Sequence, residues 1–302
     1  MARTAVFFFC RTDTDPVASR VLDVLVKLHG PGEVDTVVDG EPVLQHTDEA
    51  GNRFLFVRTE DVISHDYPRY LPVLIEHFAE ADVAAVVNWH EGANAPDRVI
   101  TVHSTGDVPT GFWSPADPVA MRNLMRAFDA ERQAAGLDDY AVVTEATHWS
   151  GVPYGGTPDL IPRYAVPTYD IEIGSSPECW NDPVAHEVVA RGLTGVFASD
   201  EPATTVLCAG GVHVETAWST PVLEGAYAVG HHLPNQWLVS GEYDQPSADD
   251  KLDACVTSIR GGVQVIAVHD KLKATYKEPF RRLAERLGVP VVKHQALRRP
   301  TS

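Results

Sequence analysis

The chain reads as an α/β protein built on a mixed, mostly parallel sheet flanked by helices. Three observations predict this class. Several strand-length runs are apolar throughout, as expected of strands covered on both faces. Amphipathic, helix-length runs alternate with them. Three of the helical runs open on the same Asp-Pro-Val, at Asp15, Asp117 and Asp182, an N-cap followed by proline at a first helical position.

Taken in order, "TAVFFFC" is the first buried strand and "DPVASRVLDVLVKLHG" the first helix, with Asp15 as its cap and Gly30 past its end. "RFLFVRT", the helix "RYLPVLIEHFAEA", and the strands "VAAVVNW" and "RVITVHS" follow. The helix "DPVAMRNLMRAFDAERQAAG" separates these from "YAVVTEA" and "PTYDIEIG". After "DPVAHEVVARGLTGVFAS" come the strands "TTVLCAGG" and "GVQVIAVHD", then the helix "YKEPFRRLAERLG" and a last strand, "PVVKH". No composition shift marks a linker, so the expectation is a single α/β hydrolase-type domain over residues 1–302. The Gly-, Pro- and Asp-rich stretches near 150–167 and 233–250 read as loop insertions long enough to rim a site.

Composition narrows the function. At 302 residues and 44% hydrophobic, the chain can bury a sizeable core. It contains no run of about 18 apolar residues, and its start lacks a signal-peptide pattern, so a soluble, cytoplasmic protein that does not engage a membrane is expected. The four cysteines are scattered without a C-x-x-C and read as buried thiols. Net charge is −18, from 42 acidic against 24 basic residues, which excludes a broad nucleic-acid-binding surface but not a local basic cleft. The one basic-rich segment, Lys271 to Arg286, reads as a solvated helix face, with a clamp for an acidic ligand as the other reading.

Chemistry-bearing residues recur where strands end. His90 and Glu91 follow "VVNW", and His103 stands in "ITVHSTG" before Ser104 and Thr105. Glu145 and His148 follow "AVVT", Asp170 and Glu172 lie in "YDIEIGSS" before Ser175 and Ser176, and His213 and Glu215 follow "LCAGG". "GAYAVGHHLP" adds His231 and His232. One histidine after a strand is ordinarily a satisfied loop or core residue. A carboxylate inside an apolar strand, as Glu172 is, is costly unless paired or metal-bound. The set together points to a catalytic or metal site at the carboxyl edge of the sheet. Histidine and glutamate donors suit zinc, although no spacing matches H-E-x-x-H. There is no G-x-S-x-G elbow, no G-x-G-x-x-G and no G-K-[ST], so a serine triad and nucleotide-cofactor binding are not supported.

The strings "TEATH", "IEIGSS…WND", "GGVHVE" and "LEGAYAVGHHLP" resemble, in order, the signature segments of the D-aminoacyl-tRNA deacylase family of archaea and plants. The counterparts fall around Asp15–Ser19, His90, His103–Asp107, Glu145–Gly151, Glu172–Ser176, Gly210–His213 and Glu224–His231, nearly the whole chain. The resemblance implies a fold like those of peptidyl-tRNA hydrolase and purine phosphorylase. It also implies a zinc-dependent hydrolase that cleaves the ester between a D-amino acid and the tRNA 3′ end. It maps the catalytic group onto Glu145, as general base, with His148 and Glu172, and the metal onto His103, His148, His213 and Glu172. Ser104, Thr105, Ser175, Ser176, His90 and His231 would then hold the aminoacyl-tRNA. The chain departs from the family pattern at Trp89, Asp107, Trp149 and Val212 and in the insertion "YGGTPDLIPRYA". These changes remove positive charge or add bulk near the expected entrance. A small aminoacyl ester, amide or peptide is therefore the alternative substrate, and a metal- or ligand-binding protein without catalysis the alternative from another class.

Overall fold

The computed structural model describes residues 2–11, 13, 15–92 and 95–298. Fourteen strands are present among them: β1 (Thr4–Cys10), β2 (Gly32–Val38), β3 (Glu41–Thr47), β4 (Arg53–Thr59), β5 (Val83–Trp89), β6 (Val99–Ser104), β7 (Gly106–Asp107), β8 (Phe112–Trp113), β9 (Ala141–Thr144), β10 (Thr168–Ile173), β11 (Thr204–Ala209), β12 (Tyr227–Leu233), β13 (Val265–Val268) and β14 (Val291–Lys293). The helices are α1 (Ala18–His29), α2 (Tyr67–Phe78), α3 (Pro118–Ala134), α4 (Pro177–Trp180), α5 (Pro183–Leu193), α6 (Thr216–Glu224), α7 (Asn235–Ser240), α8 (Ala248–Thr257) and α9 (Ala274–Leu287).

Eight strands form one sheet in the order β2-β3-β4-β1-β5-β10-β6-β9, and four form a second in the order β12-β11-β13-β14. The second sheet is all parallel, and β4, β1, β5 and β10 run parallel in the first. The expected mixed, mostly parallel α/β architecture is what forms. β1 is buried at every position, as its unbroken apolar run requires. In β11, Val206 and Cys208 join the large core while Leu207 and Ala209 face a smaller one under α8 and α9, the two-residue alternation of a strand covered on both sides. The Asp-Pro-Val openings behave as expected: Asp117 and Asp182 each accept two backbone N–H groups from the first turn. Asp15 does the same for Val17 and Ala18, although regular helix begins only at Ala18.

Three elements differ from the sequence reading. β2 and β3 form a hairpin through Asp39 and Gly40, both at positive φ, in a stretch where the sequence pattern predicts no strand. The segment 233–250 is not an open loop but carries α7 and the start of α8. Its helices are short and rich in Asp, Pro and Gly neighbours, so no long period betrays them. β12 is a fully buried strand, so His231 and His232 lie inside a sheet rather than beyond one. The stretch 150–167 contains two short 3₁₀ turns, Val152–Tyr154 and Pro158–Arg163. No helix among the described residues is long and apolar enough to cross a membrane.

A candidate imidazole–carboxylate centre

β6 runs antiparallel to β10, with His103 opposite Asp170 and Thr101 opposite Glu172, while β10 runs parallel to β5, with Glu172 opposite Asn88. Side chains of paired residues share a face, and positions two apart share it too. His103, Asp170, Glu172 and Asn88 therefore gather on one face of the sheet. The expected carboxyl-edge site is thus drawn inward, because the reversed strand β6 carries its last residues alongside the start and middle of β10.

Glu145 follows β9 directly and is buried. The loop after β11 is pinned over it, since Ala146 N–H donates to His213 O at 2.9 Å and Glu145 bridges Val214. Gly210 and Gly211 make this approach feasible. Both sit near φ +90°, and a Cβ on Gly211 would lie 2.9 Å from Glu215 Oε2. His213 Nε2 consequently donates to Glu145 Oε1, with His90 Nε2 3.3 Å from the same oxygen.

The histidines are fixed by what stands behind them. His148 Nδ1 lies 2.9 Å from Ala146 O, and His103 Nδ1 lies 3.2 Å from Ser104 O, so both must carry the proton on Nδ1. Ser175 Oγ spends its hydrogen on Pro96 O at 2.9 Å and so accepts from His90 Nδ1 at 2.7 Å. All three rings thus turn Nε2 inward. His103 Nε2 then stands 3.6 Å from Glu172 Oε1 and 3.8 Å from Asp170 Oδ2, and its ring stacks on His148 with centroids 3.9 Å apart.

Charge balance in this buried space is carried by shifted protons. Burial opposes a charge on His103, but Glu172, Glu145 and Asp170 outweigh it and push its pKa up to about 10. Burial raises Asp170 to about 7 and also raises Glu172, with the negative charge of Glu145 adding to it. Burial opposes the charge on Glu145, yet hydrogen bonds from His213 and His90 hold it well below the usual carboxylate range. His148 is kept neutral, first by burial and then by cationic His103.

Two sets of three donors lie within 4.8 Å of one another: His90, Glu145 and His213, and His103, His148 and Glu172. His103 Nε2 and Glu145 Oε2 are buried without a hydrogen-bond partner among the described residues. A lone-pair nitrogen facing a carboxylate needs a proton or a cation between them, and a histidine whose Nδ1 is tied to an oxygen is the usual form of a metal ligand. The donor chemistry fits a divalent cation.

Two clefts reach this centre. One of about 200 Å³ is lined by His65, Asn88, Trp89, Tyr154 and Ser150 together with Glu145, His148 and Glu172. The other, about 420 Å³, is lined by Ala95, Pro96, Val212, Val214 and Gln236. His90 and His213 border both.

The expected residues sort accordingly. His90, His103, Glu145, His148, Glu172 and His213 converge, and Ser175 backs His90. Ser104, Thr105, Ser176 and His231 do not line either cleft. Ser104 Oγ and Thr147 Oγ1 bond to buried His231, Thr105 bonds to Thr168 O and Ser176 to Cys179 Sγ. Trp149 is not an entrance residue: it is buried against Tyr67, and a Cβ on Gly151 or Gly156 would lie about 2.5 Å or less from its ring. Arg282 and Arg286 of α9 pair with Asp249 and Asp253 of α8, Arg281 pairs with Glu278 of its own helix, and none of the three borders either cleft. Sequence reasoning placed Asp170 in the strand-end set without giving it a role, and did not select Asn88, His65 or Tyr154 for the site. Asp170 was legible, standing two residues before Glu172 on one strand face, whereas His65 and Tyr154 lie in turns without any period.

Fold and site together define an α/β protein with a buried imidazole–carboxylate centre opened to solvent by two clefts. The chain belongs to the D-aminoacyl-tRNA deacylase family, whose sequence profile matches residues 77–292. D-aminoacyl-tRNA deacylases of Pyrococcus horikoshii and Pyrococcus abyssi are 25% and 24% identical to it, each over 93% of this chain and 97% of the relative. The crystal structure of a conserved protein of unknown function shares the fold at a TM-score of 0.76 and 19% identity, covering 98% of this chain and 97% of that one.

Proposed function

We propose that the protein hydrolyses the ester joining a D-amino acid to the 3′ end of tRNA, with a divalent cation, zinc by donor type, held by His90, Glu145 and His213. Family membership supports the substrate class. The observation that carries the site is the convergence of two histidines on the ionised Glu145 at the junction of both clefts. This trio is preferred over His103, His148 and Glu172 because all three of its members border a cleft, whereas His103 borders neither. Three protein ligands with an open position are the pattern of catalytic zinc, which supplies Lewis-acid polarisation and eases ionisation of water.

The roles differ from those expected of the sequence. Glu145, with its proton affinity strongly depressed, is a poor base and a good anchor. Glu172, which borders the smaller cleft and stands 3.6 Å from His103 Nε2, is placed to accept a proton. Water attacks the ester carbonyl, Glu172 takes its proton, and the same proton passes to the departing ribose oxygen as the C–O bond breaks. Cationic His103 balances the Glu172 charge throughout. A small aminoacyl ester or amide is the second reading, favoured by the −18 net charge and by the lack of lysine or arginine among the described lining residues.

The test is metal analysis of the purified protein with hydrolysis assays on D- and L-aminoacyl-tRNA and on small aminoacyl amides. Chelator-sensitive cleavage of the D-aminoacyl ester is expected. Survival of D-aminoacyl-tRNA alongside cleavage of a small amide would overturn the substrate in favour of the second reading.

A further inference from the structure

We infer that the smaller cleft binds the terminal adenine of the substrate by stacking on Tyr154 and by an amide contact from Asn88, so that recognition is concentrated on the last nucleotide. The inference rests on the proposed deacylase activity and adds the part of the substrate that is read.

Three rings border this cleft. His65 stacks on Tyr154 with centroids 3.6 Å apart and meets Trp89 edge-on at 6.3 Å. His65 covers one face of Tyr154, yet the residue remains 56% exposed, which leaves a π-face at the cleft mouth. The turn that carries it is held by Trp149, whose ring fills the space against Gly151 and Gly156. Deeper in the same cleft, Asn88 is 5% exposed and its Oδ1 has no partner among the described residues. A side-chain amide pairs with the N6 and N7 edge of adenine, which would satisfy that oxygen. The opposite cleft has aliphatic walls, Ala95, Pro96, Val212 and Val214, and suits the amino-acid side chain instead. The ester would then bridge the two at His90 and His213.

Net charge points the same way. An acidic protein gains little from tRNA phosphates, whereas stacking is tolerant of charge. With no lysine or arginine among the described residues lining either cleft, the base is the part of the nucleotide that these clefts are built to hold.

The experiment uses AMP as a competitor in D-aminoacyl-tRNA hydrolysis, with UMP as control, on the wild type and on Tyr154→Leu, Tyr154→Phe and Asn88→Ala. AMP is expected to inhibit competitively and UMP weakly. Tyr154→Leu should raise KM about tenfold at nearly constant kcat, with Tyr154→Phe restoring it. Asn88→Ala should lessen the preference for AMP over UMP. If the wild type hydrolyses D-aminoacyl-tRNA but AMP does not compete and Tyr154→Leu leaves KM unchanged, the inference is overturned while the activity stands. If no D-aminoacyl-tRNA is cleaved at all, the activity itself fails.

Discussion

Two groups of buried histidines lie close together in this molecule and behave in opposite ways. His103 is wholly buried beside Glu172 and Asp170, and its pKa is driven up to about 10. His231 is equally buried, but its neighbours are the hydroxyls of Ser104, Thr147 and Ser258 and the ring of Trp113. Burial alone then drives its pKa down to about 3. His232, bonded to Gly210 O, falls to about 4 for the same primary reason. The difference lies in the partner. Carboxylates turn a buried imidazole into a charged or metal-ready group, whereas hydroxyls and carbonyls leave it a neutral brace.

The largest expected effect comes from removing the anion at the centre of the first group. Glu145→Gln should lower kcat by at least about 10²-fold and reduce bound metal, while thermal melting stays cooperative. Full activity with full metal content would dissolve the distinction between the two groups.

The second group should respond in stability instead. His231→Ala opens a cavity beside Trp113 and removes the link between Ser104, Thr147 and Ser258. A loss of about 2 kcal/mol in denaturant unfolding is expected, with kcat of the folded protein within about threefold of wild type. A collapse of kcat without loss of stability would make His231 part of the catalytic centre after all.

The smallest effect sharpens the rule that burial sets the shift when it outweighs the charges nearby, here Arg20. Asp15 is buried, its Oδ2 is unpaired among the described residues, and burial raises its pKa to about 7. Because the folded pKa lies above the unfolded value, this group's stabilising contribution is full below about pH 4 and is lost as pH rises through about 7. Asp15→Asn keeps a capping oxygen but has no charge to bury. Between pH 5 and pH 8 the wild type should therefore lose a few degrees of Tm more than the variant, on the order of 3 °C. Parallel melting curves for the two proteins would refute the assignment.

Much of the site was legible because its members stand in short, chemically odd contexts. Glu172 inside an apolar strand and Glu145 with His148 after another are costly placements, which called for partners. His231 misled for the same reason, since its string looks like a strand end and only the fold reveals a buried strand. Tyr154 and His65 are not legible in the sequence, because their stacking joins two turns far apart along the chain. The Asp39-Gly40 dipeptide suits a turn with two positive φ values, but the polar residues on either side hide the flanking strands.

By itself, the sequence determined the α/β class, the capped helices and the identity of the titratable residues, because apolar period, proline and capping chemistry act over a few neighbours. Tertiary structure decided which of those residues meet. The antiparallel passage of β6 beside β10 and the pinning of the His213 loop over Glu145 set every distance at the centre. Those distances decide whether a buried histidine faces a carboxylate or a hydroxyl, a choice that no local pattern encodes.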